Sequence, residues 1–335
     1  MGVVLDTLNA TPLWLVALIK SLVLLVIVLT AFAYAMLFER KILGWMQLRP
    51  GPNRVGPWGL LQPAADAGKM LFKEDLTPET ADPMIYKLAP FISLFAAMAT
   101  FAVIPFSESG NGLWAVGDVN AGILFIFALT AIGIYGISLG GWSSGSKYPL
   151  IGSVRSTAQM ISYELAMTMS VIGVLILAGT TSLSGIVHAQ ERLWFIIPQF
   201  VGFLIYIVTA VAETNRTPFD LVEAESELVA GFHTEYSGLR FGLFFIAEYL
   251  NMITVACVAT LLFLGGWAAP FGLTFIPGII WFVLKAGLFI FLYIWLRGTF
   301  PRLRYDRLMA FGWKVLLPLA VVNLIVTAAV VAVVG

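Results

Sequence analysis

The strongest constraint on this chain is the recurrence of apolar runs long enough to cross a bilayer. From Leu13 to Phe38 the only charged residue is Lys20, and comparable runs follow as far as the C-terminus. A helix needs about 20 apolar residues to cross the hydrocarbon, where its backbone groups must bond within the segment. The runs reach that length and lack the strand-like alternation of an outer-membrane barrel. They predict an all-α polytopic membrane protein with about eight transmembrane helices, near 13–38, 87–106, 119–140, 157–179, 193–212, 241–264, 274–296 and 313–334. Composition agrees, because a 335-residue chain that is 60% hydrophobic and 11% charged cannot cover a soluble surface of its size. The first run lacks an early basic region and an evident cleavage site, so it is read as retained. Residues 1–335 read as a single integral membrane domain.

Net charge is zero, but the charges are unevenly placed. The loops after the first, third, fifth and seventh spans hold Arg40, Lys41, Arg49, Arg54, Lys69, Lys73, Lys87, Lys147, Arg155, Arg216, Arg240, Arg297, Arg302, Arg304, Arg307 and Lys314. The opposite loops hold Arg192 alone. Basic loops stay in the cytoplasm, so both termini are expected outside. The acids crowd the same cytoplasmic face, which suits docking to a charged partner.

The single cysteine, Cys257, excludes a disulfide framework and a cysteine-ligated iron–sulfur cluster. The two histidines, His188 and His233, fall in loops on opposite sides, which excludes a bis-histidine haem. No metal-ligand spacing, phosphate loop or nucleophile elbow stands out. Any redox cofactor is expected in another subunit.

Six carboxylates fall within 23 positions: Glu213, Asp220, Glu223, Glu225, Glu227 and Glu235. Thr217, Pro218 and Asp220 read as a helix start, with Thr217 as the cap. On that helix Asp220, Glu223 and Glu227 share one face, whereas Glu225 lies among Leu221, Leu228 and Phe232. Crowded, poorly hydrated carboxylates can hold protons near neutral pH. The acidic cytoplasmic loop is taken as 213–240.

The first span ends in Glu39-Arg40-Lys41 and runs into a Gly/Pro-rich cationic loop with Arg49 and Arg54, suited to a partner surface. For Arg40 and Lys41 a plain basic flank is an equal reading. From Trp58 to Lys73 the sequence is amphipathic and too polar to span, so it predicts an interfacial helix over about 58–73. Gln62, Asp66 and Lys69 form a polar stripe on it. The segment Gly140–Pro149 reads as a flexible loop. Glu164, Glu248 and Lys285 fall inside apolar spans, where an ionised side chain costs about 2.5–3.5 kcal/mol on insertion scales and a functional role is the default expectation. Lys20 reads equally well as a snorkelling residue. Arg297, Arg302 and Arg304 form a last basic loop that stops translocation and can grip carboxylates.

Three segments together resemble one family. They are Gly59-Leu60-Leu61-Gln62 through Asp66, Lys69 and Lys73-Glu74; Pro218-Phe219-Asp220 through Glu223, Glu225, Glu227 and Gly231; and Arg297 through Pro301-Arg302, Arg304-Tyr305-Asp306 and Trp313. The chain is similar to one membrane subunit of respiratory NADH:quinone oxidoreductase (complex I), the H subunit of bacteria and its mitochondrial counterpart, subunit 1. The resemblance implies a subunit of a bacterial inner membrane that binds no cofactor alone, with flavin and iron–sulfur clusters in partner subunits, and takes quinone as substrate. It implies a quinone chamber that includes Arg40, Gln62, Asp66, Lys69, Phe219, Glu225 and Arg297. It implies a proton path through Glu164, Glu213, Arg216, Asp220, Glu223, Glu225, Glu227 and Glu248. Arg49, Arg54, Arg302 and Arg304 are expected to dock soluble iron–sulfur subunits, with antiporter-like membrane subunits as further partners and no nucleic acid. Two other readings remain: a stand-alone proton or cation transporter, which would usually carry two related halves not found here, and the anchor of a related membrane-bound hydrogenase.

Overall fold

The computed structural model describes residues 13–109, 112–220, 230–270 and 275–334. Apart from a two-residue ribbon, Glu108–Ser109 against Gly112–Leu113, its regular structure is helical. In chain order the α-helices are α1 (Leu13–Met46), α2 (Gln62–Phe72), α3 (Pro83–Ala99), α4 (Gly122–Ser143), α5 (Lys147–Ala178), α6 (Leu183–Ala189), α7 (Phe200–Glu213), α8 (Gly238–Phe263), α9 (Gly278–Thr299), α10 (Tyr305–Phe311) and α11 (Leu317–Val334). A π-helical turn, Gly312–Leu316, joins the last two.

Seven of these segments are long and apolar enough to cross a membrane, with α10 and α11 counted as one continuous segment. The eighth expected span is α7, only 14 residues long. Its regular part starts at Phe200 rather than near 193 because Pro198 has no N–H to donate and disfavours helix at Ile197. Residues 194–199 turn there instead, with the Ile196 N–H donating to Phe263 O at 3.1 Å.

Contacts sort the loops onto two ends of the bundle. At one end, hereafter the basic end, Asp82 N bonds Ser143 O (3.0 Å), Tyr86 Oη bonds Glu235 O (2.7 Å), and Leu303 N bonds Pro218 O (2.9 Å). At the other, Thr181 Oγ1 donates to Asn120 O (2.7 Å) and His188 Nε2 lies 3.0 Å from Glu108. The long helices therefore run alternately between the two ends, as the loop charges anticipate. At the basic end Tyr86 and Tyr236 stack with ring centroids 4.1 Å apart, and burial pushes the Tyr236 hydroxyl up to about 12. At the opposite end α8 closes on Lys285, whose Nζ donates to the carbonyls of Leu264 (2.6 Å), Gly266 (2.9 Å) and Ala268 (2.7 Å). Those three acceptors account locally for the charge that made Lys285 stand out.

The core lies around α8, whose residues 252–263 are buried without a break. Helices α3 and α4 make the closest contact in the bundle. A Cβ on Gly136 would sit 2.0 Å from Ser93 Oγ, 2.8 Å from Ser93 N and 2.9 Å from Ala89 O, so only glycine fits there. The expected flexible loop 140–149 is nearly all helix, and only residues 144–146 fall outside α4 and α5. A Cβ on Gly141 would come 2.4 Å from Pro149 O, so that glycine serves close packing of the two helices rather than flexibility.

Candidate functional site

The site begins where α7 stops. Asn215 adopts a left-handed conformation (φ 53°), Arg216 N bonds Val211 O (3.3 Å) and Asn215 N bonds Ala212 O (3.3 Å). That is a Schellman closure, which satisfies the last carbonyls of the helix and turns the chain back on itself. Phe219 N then bonds Arg216 O at 2.8 Å, and Thr217–Pro218 is cis. Residues 216–220 are thus a turn, and the expected helix start at Thr217–Asp220 is corrected. Asp220 takes Arg302 as partner at 2.9 Å.

The turn carries Arg216 into the bundle. Its side chain is 1% exposed, Nη1 donates to Glu39 Oε2, and Nε donates to Glu248 Oε1 at 3.1 Å. The guanidinium lies 4.3 Å from the ring centroid of Tyr249, a cation–π contact shielded from water. Burial disfavours the charge of Arg216, but Glu248, Glu39 and Tyr249 outweigh that and push its pKa above the ordinary value. Arg297, near the C-terminal end of α9, donates to the other oxygen of Glu39. One buried carboxylate is therefore held by two arginines distant in sequence, one from the turn after α7 and one from the last turn of α9. Removing either partner of such a pair leaves an uncompensated buried charge, which costs about 3–5 kcal/mol.

Arg40, the next residue on α1, faces a different group. Its Nη1 donates to Asp66 Oδ2 at 2.7 Å, Gln62 Nε2 donates to Asp66 Oδ1 at 2.9 Å, and Lys69 Nζ lies 4.0 Å from the same carboxylate. The interfacial helix is shorter than expected, Gln62–Phe72 after a 3-10 turn at Pro57–Gly59. Asp66 is buried against the protein, whereas Trp58, Leu71 and Phe72 are exposed. Of the polar stripe, Asp66 points inward and Gln62 is half-buried beside it, whereas Lys69 is exposed; the exposed Leu71 and Phe72 suit a helix lying on lipid.

The remaining expected residues divide. Glu213 and Glu248 line one small cavity, with about 50 Å³ of room for water, together with Asn215, His233, Phe245 and Asn251. Glu213 is 7% exposed and its Oε2 has no hydrogen-bond partner among the described residues. Glu164, half-buried on α5, is near enough for its charge to interact with that of Glu213. Phe219 packs on Tyr163, with centroids 5.5 Å apart, away from the Arg40–Asp66 group. Arg302 is engaged within the chain, Arg304 lies 3.6 Å from Asp306 with both side chains exposed, Arg49 Nε donates to Gln47 Oε1 (2.7 Å), and Arg54 is exposed. Glu223, Glu225 and Glu227 lie outside the described residues. The sequence reading missed Glu39, masked by its place in an apparent membrane flank, and Tyr249, which looked like one more aromatic in an apolar span.

Comparison with known proteins gives one answer. A family model described as NADH dehydrogenase matches residues 19–328. The chain is 53% identical to an NADH-quinone oxidoreductase H subunit of Symbiobacterium thermophilum, an alignment covering 95% of this chain and 97% of that protein. It is 51% identical to the H subunit of Brevibacillus brevis (96% and 94% covered) and 48% identical to that of Paramagnetospirillum magneticum (94% and 92%). With the polytopic helical fold, this similarity over nearly the whole length shows that the chain belongs to the H-subunit family of NADH-quinone oxidoreductase and is a membrane subunit of that enzyme.

Proposed function

We infer that this subunit forms much of the quinone chamber and passes the charge change of quinone reduction into a chain of buried carboxylates. The observation that carries the reading is the adjacency of Glu39 and Arg40. One faces the Arg216–Arg297–Glu248 network and the other faces Asp66 on the lipid-lying helix. Quinone enters from the bilayer beside Trp58 to Lys73, with Arg40, Gln62, Asp66 and Lys69 at the entrance and Arg297 and Phe219 further along. Its head group is reduced by an iron–sulfur centre of a soluble partner docked on the basic end, where Arg49, Arg54 and Arg304 supply charge. Reduction consumes two protons, and the resulting change of charge is felt by Glu39 and Glu248, then by Glu213 and Glu164, and by Glu223, Glu225 and Glu227. Coupled carboxylates hold protons as a group, so the cluster acts as a proton store feeding antiporter-like membrane partners. The basic end faces the cytoplasm and both termini face the periplasm.

The test uses the assembled complex with Asp66→Asn and, separately, Glu248→Gln. NADH oxidation by a soluble artificial acceptor reads the flavin and the integrity of assembly, and NADH:quinone turnover reads the chamber. Both variants should lose quinone turnover with acceptor activity retained, and Glu248→Gln should also lose proton pumping. If acceptor and quinone activities fall together, the residues hold the complex together and the reading is wrong.

A further inference from the structure

Three glutamines are almost wholly buried: Gln159, Gln190 and Gln199. Two of them are satisfied at both ends of the amide. Gln190 Nε2 donates to Leu261 O (2.7 Å) and Ile186 O (3.2 Å), and its Oε1 accepts from Gly265 N (3.0 Å) and Phe195 N (3.2 Å). Gln199 Nε2 donates to Thr327 Oγ1 (2.6 Å), and its Oε1 accepts from Asn323 Nδ2 (2.9 Å). Both tie helices together where the chain needs only a bolt.

Gln159 on α5 differs. Its Nε2 is 2.8 Å from Ala212 O and 2.8 Å from Phe219 O, and 3.4 Å from Asn215 Oδ1, so both amide hydrogens are committed to the turn at the end of α7. Its Oε1 is buried with no hydrogen-bond partner among the described residues. Exchanging O and N would set a carbonyl oxygen 2.8 Å from two others, so the orientation follows from chemistry. The two accepting carbonyls bracket Arg216. Ala212 O lies on the last turn of α7 and Phe219 O lies three residues past the arginine, so one side chain pins both ends of the segment that aims the guanidinium. A buried polar atom left unsatisfied costs more than a hydrogen bond returns. A bolt would be satisfied at both ends, as Gln190 and Gln199 are, whereas Gln159 meets the turn and leaves its acceptor unused.

We propose that Gln159 is a positioning residue for the quinone reaction: it fixes the Arg216 turn so that one guanidinium bridges Glu39 and Glu248. Glu39 keeps Arg297 if that turn drifts, so the Arg216–Glu248 contact at 3.1 Å is the one that loosens. Gln159 touches neither carboxylate and acts through Arg216. The proposal rests on the reading that the Glu39–Arg216–Glu248 network responds to quinone reduction.

The experiment is Gln159→Met in the assembled complex, a side chain of similar length with no donor, with Gln159→Leu as a second shape. Expected is unchanged artificial-acceptor activity, quinone turnover lowered about tenfold, the scale of the two buried hydrogen bonds lost, and a KM for quinone within about twofold of the parent. In an Arg216→Lys background the same substitution should bring little further loss, because the group it positions is already altered. Losses that multiply across the two substitutions, unchanged turnover, or acceptor and quinone activities falling in proportion for both variants would each overturn the assignment. Glu248→Gln in parallel keeps the two levels apart. If that variant turns over normally, the underlying reading of the network fails. If it is impaired while Gln159→Met is not, only the role of Gln159 fails.

Discussion

Arg302 and Asp220 meet at 2.9 Å at the basic end of the bundle, fastening the last basic loop to the point where the acidic stretch leaves α7. Asp220 is 4% exposed at its side chain and Arg302 37%, so the aspartate suffers more when the pair is broken. Arg302→Ala should destabilise this corner by about 1–2 kcal/mol, well short of a fully buried pair because water screens the arginine. Arg302→Lys should recover part of that. Thermal denaturation of the purified complex, followed by the yield of assembled enzyme on native gels, checks the order parent, Lys, Ala.

At the lipid-lying helix, Arg40→Ala removes a partner of Asp66 but leaves Gln62 at 2.9 Å. Quinone turnover should fall several-fold, with the larger change in KM if Arg40 steers the quinone head. A steady-state titration with a short-chain quinone separates KM from kcat, with the artificial acceptor as control.

Gly136→Ala tests the stability of the α3–α4 contact, where Ser93 also lines the cavity of Glu213 and Glu248. The added methyl group would meet Ser93 and the backbone of Ala89, which can yield only if α3 and α4 move apart. The expected cost is about 1–3 kcal/mol, seen as a lower melting temperature of the purified complex.

Sidedness can be read with single cysteines in a Cys257→Ala background. New cysteines at Arg54 and Arg304 should resist a membrane-impermeant maleimide added from the periplasm and react in inverted vesicles. Labelling from the periplasm would reverse the orientation inferred from the loop charges.

The helical architecture was legible because crossing a bilayer imposes long apolar runs, and those runs survive in sequence whatever their partners. Ends were less legible. Glycines at 140 and 141 read as loop because sequence cannot tell a glycine that bends the chain from one that lets two helices touch. Thr217-Pro218 read as a helix start because the turn is decided by Gln159 and Arg302, both distant in sequence. Within the site, Glu248 was conspicuous as a charge in an apolar span and Asp66 as part of a polar stripe, whereas Arg216 was singled out through its place in the acidic stretch and the family resemblance. Glu39 escaped notice because it directly precedes Arg40 and Lys41, and only folding shows that its partners are Arg216 and Arg297.

Lys285 gives the opposite end of the molecule a different character. Three carbonyl acceptors call for three amine hydrogens, and only the ammonium has three. The residue is thus a stopper: its charge is consumed in sealing the loosened end of α8, and Trp194 lies 4.5 Å from it as a cover. A methionine of like length there would leave those carbonyls bare in an apolar setting. The seal at that end contrasts with the cavity lined by Glu213 and Glu248, which opens beside the basic half of α8.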